Sequence, residues 1–205
     1  MGTRKPIKVA ARHALAILGA TLAVLGAAPA LASATPRYVQ VGGSDSSNNC
    51  TSALLPCKTI EHAVAEAAAE DTIQIGPGEY REGVETPEHK PLHFIGAGSS
   101  GPEATLIEAS NHEHPALWIK SGGSVEAMKI RQTFPGIGGA LQVAAPDSET
   151  VTATNIVAEG DAREVEGNAS GSDAIAINGG ALHLSHSTVT EIDSVAAVEQ
   201  AICSR

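Results

Sequence analysis

Residues 50–80, CTSALLPCKTIEHAVAEAAAEDTIQIGPGEY, constrain the fold more than any other stretch of the chain. A cysteine pair leads into a short amphipathic helix, then an alternating strand and a Pro-Gly turn. Thr59 is placed to cap the helix. Ile60, Ala63, Val64, Ala67 and Ala68 fall at i, i+3, i+4, i+7 and i+8, which makes one apolar stripe. A helix this short is not stable alone, so the stripe must rest on something. The order reads as the capped first rung of a parallel β-solenoid, whose open apolar end needs a cover.

The rest of the chain repeats the strand pattern. Alternating runs at 38–41, 72–75, 92–95 and 105–107 read as strands. From residue 116 the segments ALWIKSGGSVEAMKI, GALQVAAPDSETVTATNIV and DAIAINGGALHLSHSTV each give a strand, a Gly or Pro-Asp turn and a second strand. Leu117/Ile119, Leu141/Val143 and Ile175/Ile177 are expected to stack as one inward ladder, and Val125, Val151 and Leu182 to start the next. The spacing is irregular, and the extra length falls in polar loops, where insertions in a repeat fold belong. Residues 108–115, 131–139 and 158–172 all precede the same strand of successive coils. They should therefore pile onto one edge, and a loop-built surface on a rigid scaffold is where binding resides. The candidate ligand-binding residues there are Arg131, Asp161, Arg163 and Glu164, with Glu108, His112, Glu113, His114 and Glu166 beside them.

The ends bound the compartment. Arg4, Lys5, Lys8 and Arg12 precede an uncharged apolar run from Ala14 to Ala28, followed by small-residue cleavage patterns at 30–34. Residues 1–34 read as a secretory signal, and 35–205 as a single domain whose last stretch, VAAVEQAICSR, reads as an unfinished coil or a small capping helix. Without the leader the chain has nine basic and 23 acidic residues. A balance this acidic repels phosphate backbones and argues against nucleic acid as a partner. Only one Trp, two Tyr and two Phe are present, so the core must be aliphatic and thin. Cys50 and Cys57 enclose a short loop that an oxidising compartment would close as a disulfide; the alternative is a two-ligand metal pair. Cys203 is left over.

Two clusters carry possible chemistry. His112-Glu113-His114 could place two imidazoles on one side of an extended segment, but zinc takes three or four protein ligands, and a solvated loop is the plainer reading. His183 points outward between Leu182 and Leu184. Asp161, Glu164 and Glu166 could supply a calcium ion, which needs six to eight oxygens, while Arg131 or Arg163 neutralises a sugar acid. The plainer reading is a flexible acidic loop.

The run Cys50…Pro56-Cys57-Lys58-Thr59-Ile60, then Ala63, then Asp71-Thr72-Ile73, then Gly76-Pro77-Gly78-x-Tyr80-x-Glu82 resembles the N-terminal block of bacterial right-handed parallel β-helix proteins with the pectin-lyase-like fold. The resemblance covers about residues 38–96 and extends weakly to about 190. It implies an all-β right-handed parallel β-helix with a short N-terminal capping helix. It implies no reaction, since similar openings occur in surface proteins, polysaccharide lyases and uronan epimerases. The Asn-Thr-Asp, Asp-Asp, His-Gly and Arg-Ile-Lys patches of the pectin hydrolases are absent, and Lys129-Ile130-Arg131 only reverses the last. No catalytic residue carries over.

The expectation is thus a monomeric protein, secreted or at the cell surface, that binds glycan or serves structurally. It has no membrane span once the signal is removed. The alternatives are a lyase or epimerase acting on uronic-acid polymers, and an adhesin-like module for a protein partner. No cofactor is expected, calcium being the one candidate.

Overall fold

The computed structural model describes residues 34–109, 114–133, 138–160, 173–191 and 194–204. Thirteen strands and one helix make up these residues, in an all-β fold of parallel sheets. The strands are β1 (Pro36–Val39), β2 (Thr72–Ile75), β3 (Gly78–Arg81), β4 (Val84–Glu85), β5 (Leu92–Ile95), β6 (Thr105–Glu108), β7 (Leu117–Ile119), β8 (Gly123–Arg131), β9 (Leu141–Ala144), β10 (Thr150–Gly160), β11 (Ile175–Gly179), β12 (Ala181–Glu191) and β13 (Ser194–Ser204). One sheet runs β1-β2-β5-β8-β10-β12-β13, with β6 joining β3 to β8, and the other runs β11-β9-β7-β4. From β4 to β12 the chain alternates between the two sheets, β5 and β6 counting as one pass, and returns each time one strand further along.

Helix α1 (Ile60–Glu66) forms where the apolar spacing places it. Thr59 is its N-cap and accepts the His62 amide. The Glu82 carboxylate takes the amides of Ile60 and Glu61 at 3.0 and 2.9 Å, which also suits the positive end of the helix. Ile60, Ala63, Val64 and Ala67 are buried as the stripe requires. Ala68 is exposed instead. The helix stops at Glu66 because Ala67 turns extended, and the Ala68 amide bonds Asp71 rather than continuing the ladder. Cys50 and Cys57 form a disulfide, both fully buried.

The first inward ladder stands as its alternation predicts. Leu117 pairs with Leu141 and Leu141 with Ile175, while Ile119 pairs with Val143 and Val143 with Ile177; Val84 extends the row beside Leu117. The second ladder differs. Val151 pairs with Leu182 and with Gly123, whereas Val125 pairs with Ala153. Pairing begins two residues earlier than expected because Gly123, the last residue of the SGG turn, is already paired with Leu92 and Val151. The resulting core row is Ile73, Phe94, Val125, Ala153 and Leu184, and a further row runs Tyr80, Ile107, Ile130, Ala158 and Val189.

One left-handed residue sits in each of β8, β10 and β12: Ala127, Asn155 and His186, with φ of 54°, 53° and 49°. They occupy equivalent positions, since Glu126 pairs with Thr154 and Thr154 with Ser185 just before them. On one side β8 pairs with β5, and on the other with β6. The inward alternation resets there, from Val125 to Met128, so one continuous strand lines two sides of the core. The last strand breaks the parallel pattern. β13 pairs antiparallel with β12, starting from Glu191 against Ser194. Two linking residues allow a hairpin but not the crossover that a further parallel strand needs. The C-terminal stretch is thus a returning strand, neither helix nor coil.

Candidate functional site

The segments expected to share an edge do start and end on neighbouring strands. They leave from β6, β8 and β10 and rejoin at β7, β9 and β11, and these are hydrogen-bonded in those orders. Their first residues are stacked by the bonds Ala109 N to Arg131 O and Gln132 N to Glu159 O. Their last residues are stacked by Leu117 N to Ala140 O and Leu141 N to Ala174 O.

The outward residues at the start of this edge form an alternating charge ladder. Arg81 pairs in register with Glu108, Glu108 with Arg131, and Arg131 with Glu159. Arg131 Nε donates to Glu159 Oε2 at 2.8 Å, and its Nη1 lies 3.7 Å from Glu108 Oε1. Lys129 Nζ sits 2.6 Å from the other Glu159 oxygen. Opposite charges directly across strands favour this register. They also fix ionisation. Burial works against the Glu159 charge, but the hydrogen bonds of Lys129 and Arg131 outweigh it and hold the carboxyl below its usual range. The Glu159 hydrogen bond in turn pushes Arg131 up.

A cleft of about 430 Å³ opens beside the ladder, lined by Arg131, Gln132, Thr133, Glu159, Gly160 and Thr190. Gln132 is 1% exposed, and neither its Oε1 nor its Nε2 has a hydrogen-bond partner. Leaving such a group unpaired costs roughly 1–3 kcal/mol. The other unpartnered buried side-chain atoms among the described residues are Trp118 Nε1 and Gln142 Oε1. Those two residues pair across β7 and β9, just past the ends of the same stacked segments. Beside them Lys120 Nζ lies 4.1 Å from the Trp118 ring centroid and pairs with Glu85. Among the described residues the unfilled donors and acceptors therefore sit at the two ends of these stacked segments.

Two more clefts, of about 310 and 420 Å³, lie around Tyr38 and around residues 42–56. Neither is lined by an ionised side chain or an unpartnered buried amide, so the Arg131 cleft is the stronger candidate.

Of the residues singled out from sequence, Arg131 lines the cleft and Glu108 supports it through the ladder. His114 is exposed, as is His183. Asp161, Arg163, Glu164 and Glu166, with the calcium reading built on them, lie outside the described residues, as do His112 and Glu113. Gln132 was not anticipated, although Ile130-x-Gln132 is an inward spacing that could have flagged it. Among the described residues no helix is long and apolar enough to cross a membrane. No family model, curated protein or solved structure matches the chain.

Proposed function

We propose that this protein is an exported right-handed parallel β-helix of the pectin-lyase-like kind that binds a neutral glycan at the Arg131 cleft. The winding is supported by the strand order, in which the chain alternates between two parallel sheets and advances one strand per pass. The short helix then covers the first coil, and the antiparallel β13 closes the far end. Export is supported by the Cys50–Cys57 disulfide, since such bonds persist in oxidising compartments.

The single observation that carries the binding reading is the unpartnered, buried Gln132 amide lining a cleft beside Arg131 and Glu159. Planar amide, guanidinium and carboxylate groups present paired donors and acceptors, which match adjacent sugar hydroxyls. The ion pair leaves the cleft mouth close to neutral, and the chain without its leader carries nine basic against 23 acidic residues. Both features favour a neutral glycan over a polyuronate. Glu159 is a poor base when its carboxyl is held low, and Arg131 does not lose its proton. A proton-transfer role needs a group poised near the working pH, so the cleft is suited to binding rather than to lyase chemistry.

Gln132→Met separates binding from folding. Removing an unsatisfied buried amide while keeping its length should stabilise the protein by about 1–3 kcal/mol in urea denaturation. The same change should weaken glycan binding about tenfold in calorimetry, the equivalent of two modest hydrogen bonds. Equal loss of stability and affinity would mean the amide is structural. A rise in near-ultraviolet absorbance on mixing with alginate, pectate or chondroitin would instead favour a lyase.

A further inference from the structure

The disulfide has a third neighbour that its sequence loop does not suggest. A His62 ring nitrogen and the sulfurs of Cys50 and Cys57 all lie within 4.8 Å of one another. Helix α1 brings the histidine there, as its third residue, over the closed loop. His62 Nε2 is 2.7 Å from the Asn48 carbonyl oxygen, and that oxygen is 3.9 Å from Cys57 Sγ. Two sulfurs and one imidazole therefore lie close enough to share an ion, with the Asn48 carbonyl beside them. Both cysteines are fully buried, while His62 and Asn48 are half-buried.

We propose that, before the disulfide forms, Cys50, Cys57 and His62 make a Zn²⁺ site that excludes the disulfide. Tetrahedral zinc takes thiolates at about 2.3 Å and imidazole at about 2.0 Å, which sets its sulfurs about 3.8 Å apart. The sulfurs need only to separate from bonding distance, and side-chain rotation supplies that. A water completes the fourth position. No reductant is required, because the chain is synthesised with its thiols reduced. Metal binding displaces one proton from each thiol. Closure of the disulfide then passes two electrons from the two thiolates to an exogenous disulfide. That disulfide takes up two protons and leaves as two thiols, and Zn²⁺ is released. Zinc and disulfide are alternative clasps on the loop that begins the fold.

The test uses the mature protein carrying Cys203→Ser, reduced with a phosphine and titrated anaerobically with Co²⁺ as the optical probe for zinc. One Co²⁺ per chain is expected, with thiolate charge-transfer absorption, displacement by Zn²⁺, and protection of Cys50 and Cys57 from alkylation. The oxidised protein should bind none. His62→Gln keeps an amide donor for the Asn48 carbonyl, so circular dichroism should match that of the parent. Its Co²⁺ affinity should fall by more than the roughly 10–100-fold that losing a supporting partner of a ligand costs. Unchanged affinity in His62→Gln, or stoichiometric binding to the oxidised protein, overturns the site.

Discussion

Replacing Asp71 by alanine is expected to remove roughly 3–5 kcal/mol of stability, the cost of stranding a buried partner. Asp71 is 2% exposed and sits where β1, the turn after α1 and β2 meet. Its Oδ2 is held by Arg37 Nε and Nη2 at 3.0 and 2.8 Å and by the Ala68 amide at 2.8 Å, and its Oδ1 takes the Thr35 amide. Deleting the carboxylate removes the charged partner of a largely buried guanidinium, which keeps only the Asn49 carbonyl at 2.8 Å, and takes one acceptor from the Ala68 amide. Urea denaturation of Asp71→Ala against wild type measures this directly. A loss below about 1 kcal/mol, the size of a surface pair, would mean that Asp71 is not the joint between these elements.

The same carboxylate predicts the acid limb of the stability curve. Burial raises the Asp71 carboxyl, but the Ala68 and Thr35 amides and the Arg37 guanidinium outweigh it and hold the group below its ordinary value of 3.8. Near that pH the unfolded chain binds more protons than the native one. The contribution of Asp71 is therefore complete above the ordinary value and is lost as pH falls through the lowered one. Asp71→Asn should flatten that part of the curve, and an unchanged acid limb would assign it to other groups such as Asp45.

The second large effect is expected at Gly123. Its φ is +133°, and a Cβ built there would lie 2.1 Å from the Leu92 carbonyl oxygen. That carbonyl belongs to β5, which pairs with β8 beginning at this residue. Gly123→Ala adds a backbone clash to a conformation that side chains avoid, and the two together should cost about 2–5 kcal/mol. Gly101 supplies the control. It also has positive φ, but nothing lies within 4 Å of its absent Cβ. Gly101→Ala should cost only the conformational part, about 1–2 kcal/mol. Equal melting shifts in the two variants would show that close approach at Gly123 does not set the register.

How much of this was legible in the sequence follows from what each feature depends on. The Leu117, Leu141 and Ile175 row was readable because period-2 alternation fixes which side chains face inward. Helix α1 was readable from its cap and stripe, but its end was not. The stop depends on Asp71 capturing the Ala68 amide, a contact made across the fold rather than along the chain. The register of Val125 failed for a related reason. Alternation fixes the face but not the pairing, and a two-residue shift leaves every side chain on the same face. Ala127 carries no signal for a left-handed corner, since the residues that adopt that conformation readily are Gly, Asn and Asp. Gln132 sits at an inward position but at the head of a polar segment, so its burial depends on neighbouring strands that the local sequence does not specify. His62 belongs to the stripe-bearing helix, and its approach to the disulfide depends on how that helix is seated.

The most direct test of glycan binding at this edge is hydrogen exchange on the intact protein. Exchange would be compared with and without neutral oligosaccharides chosen from a glycan array, with polyuronates as the contrast. The expected result is slowed exchange at residues 131–133 and 159–160 with a neutral glycan, and none with alginate or pectate. Protection confined to the clefts around Tyr38 or residues 42–56, or no glycan retained at all, would contradict binding at the Arg131 cleft.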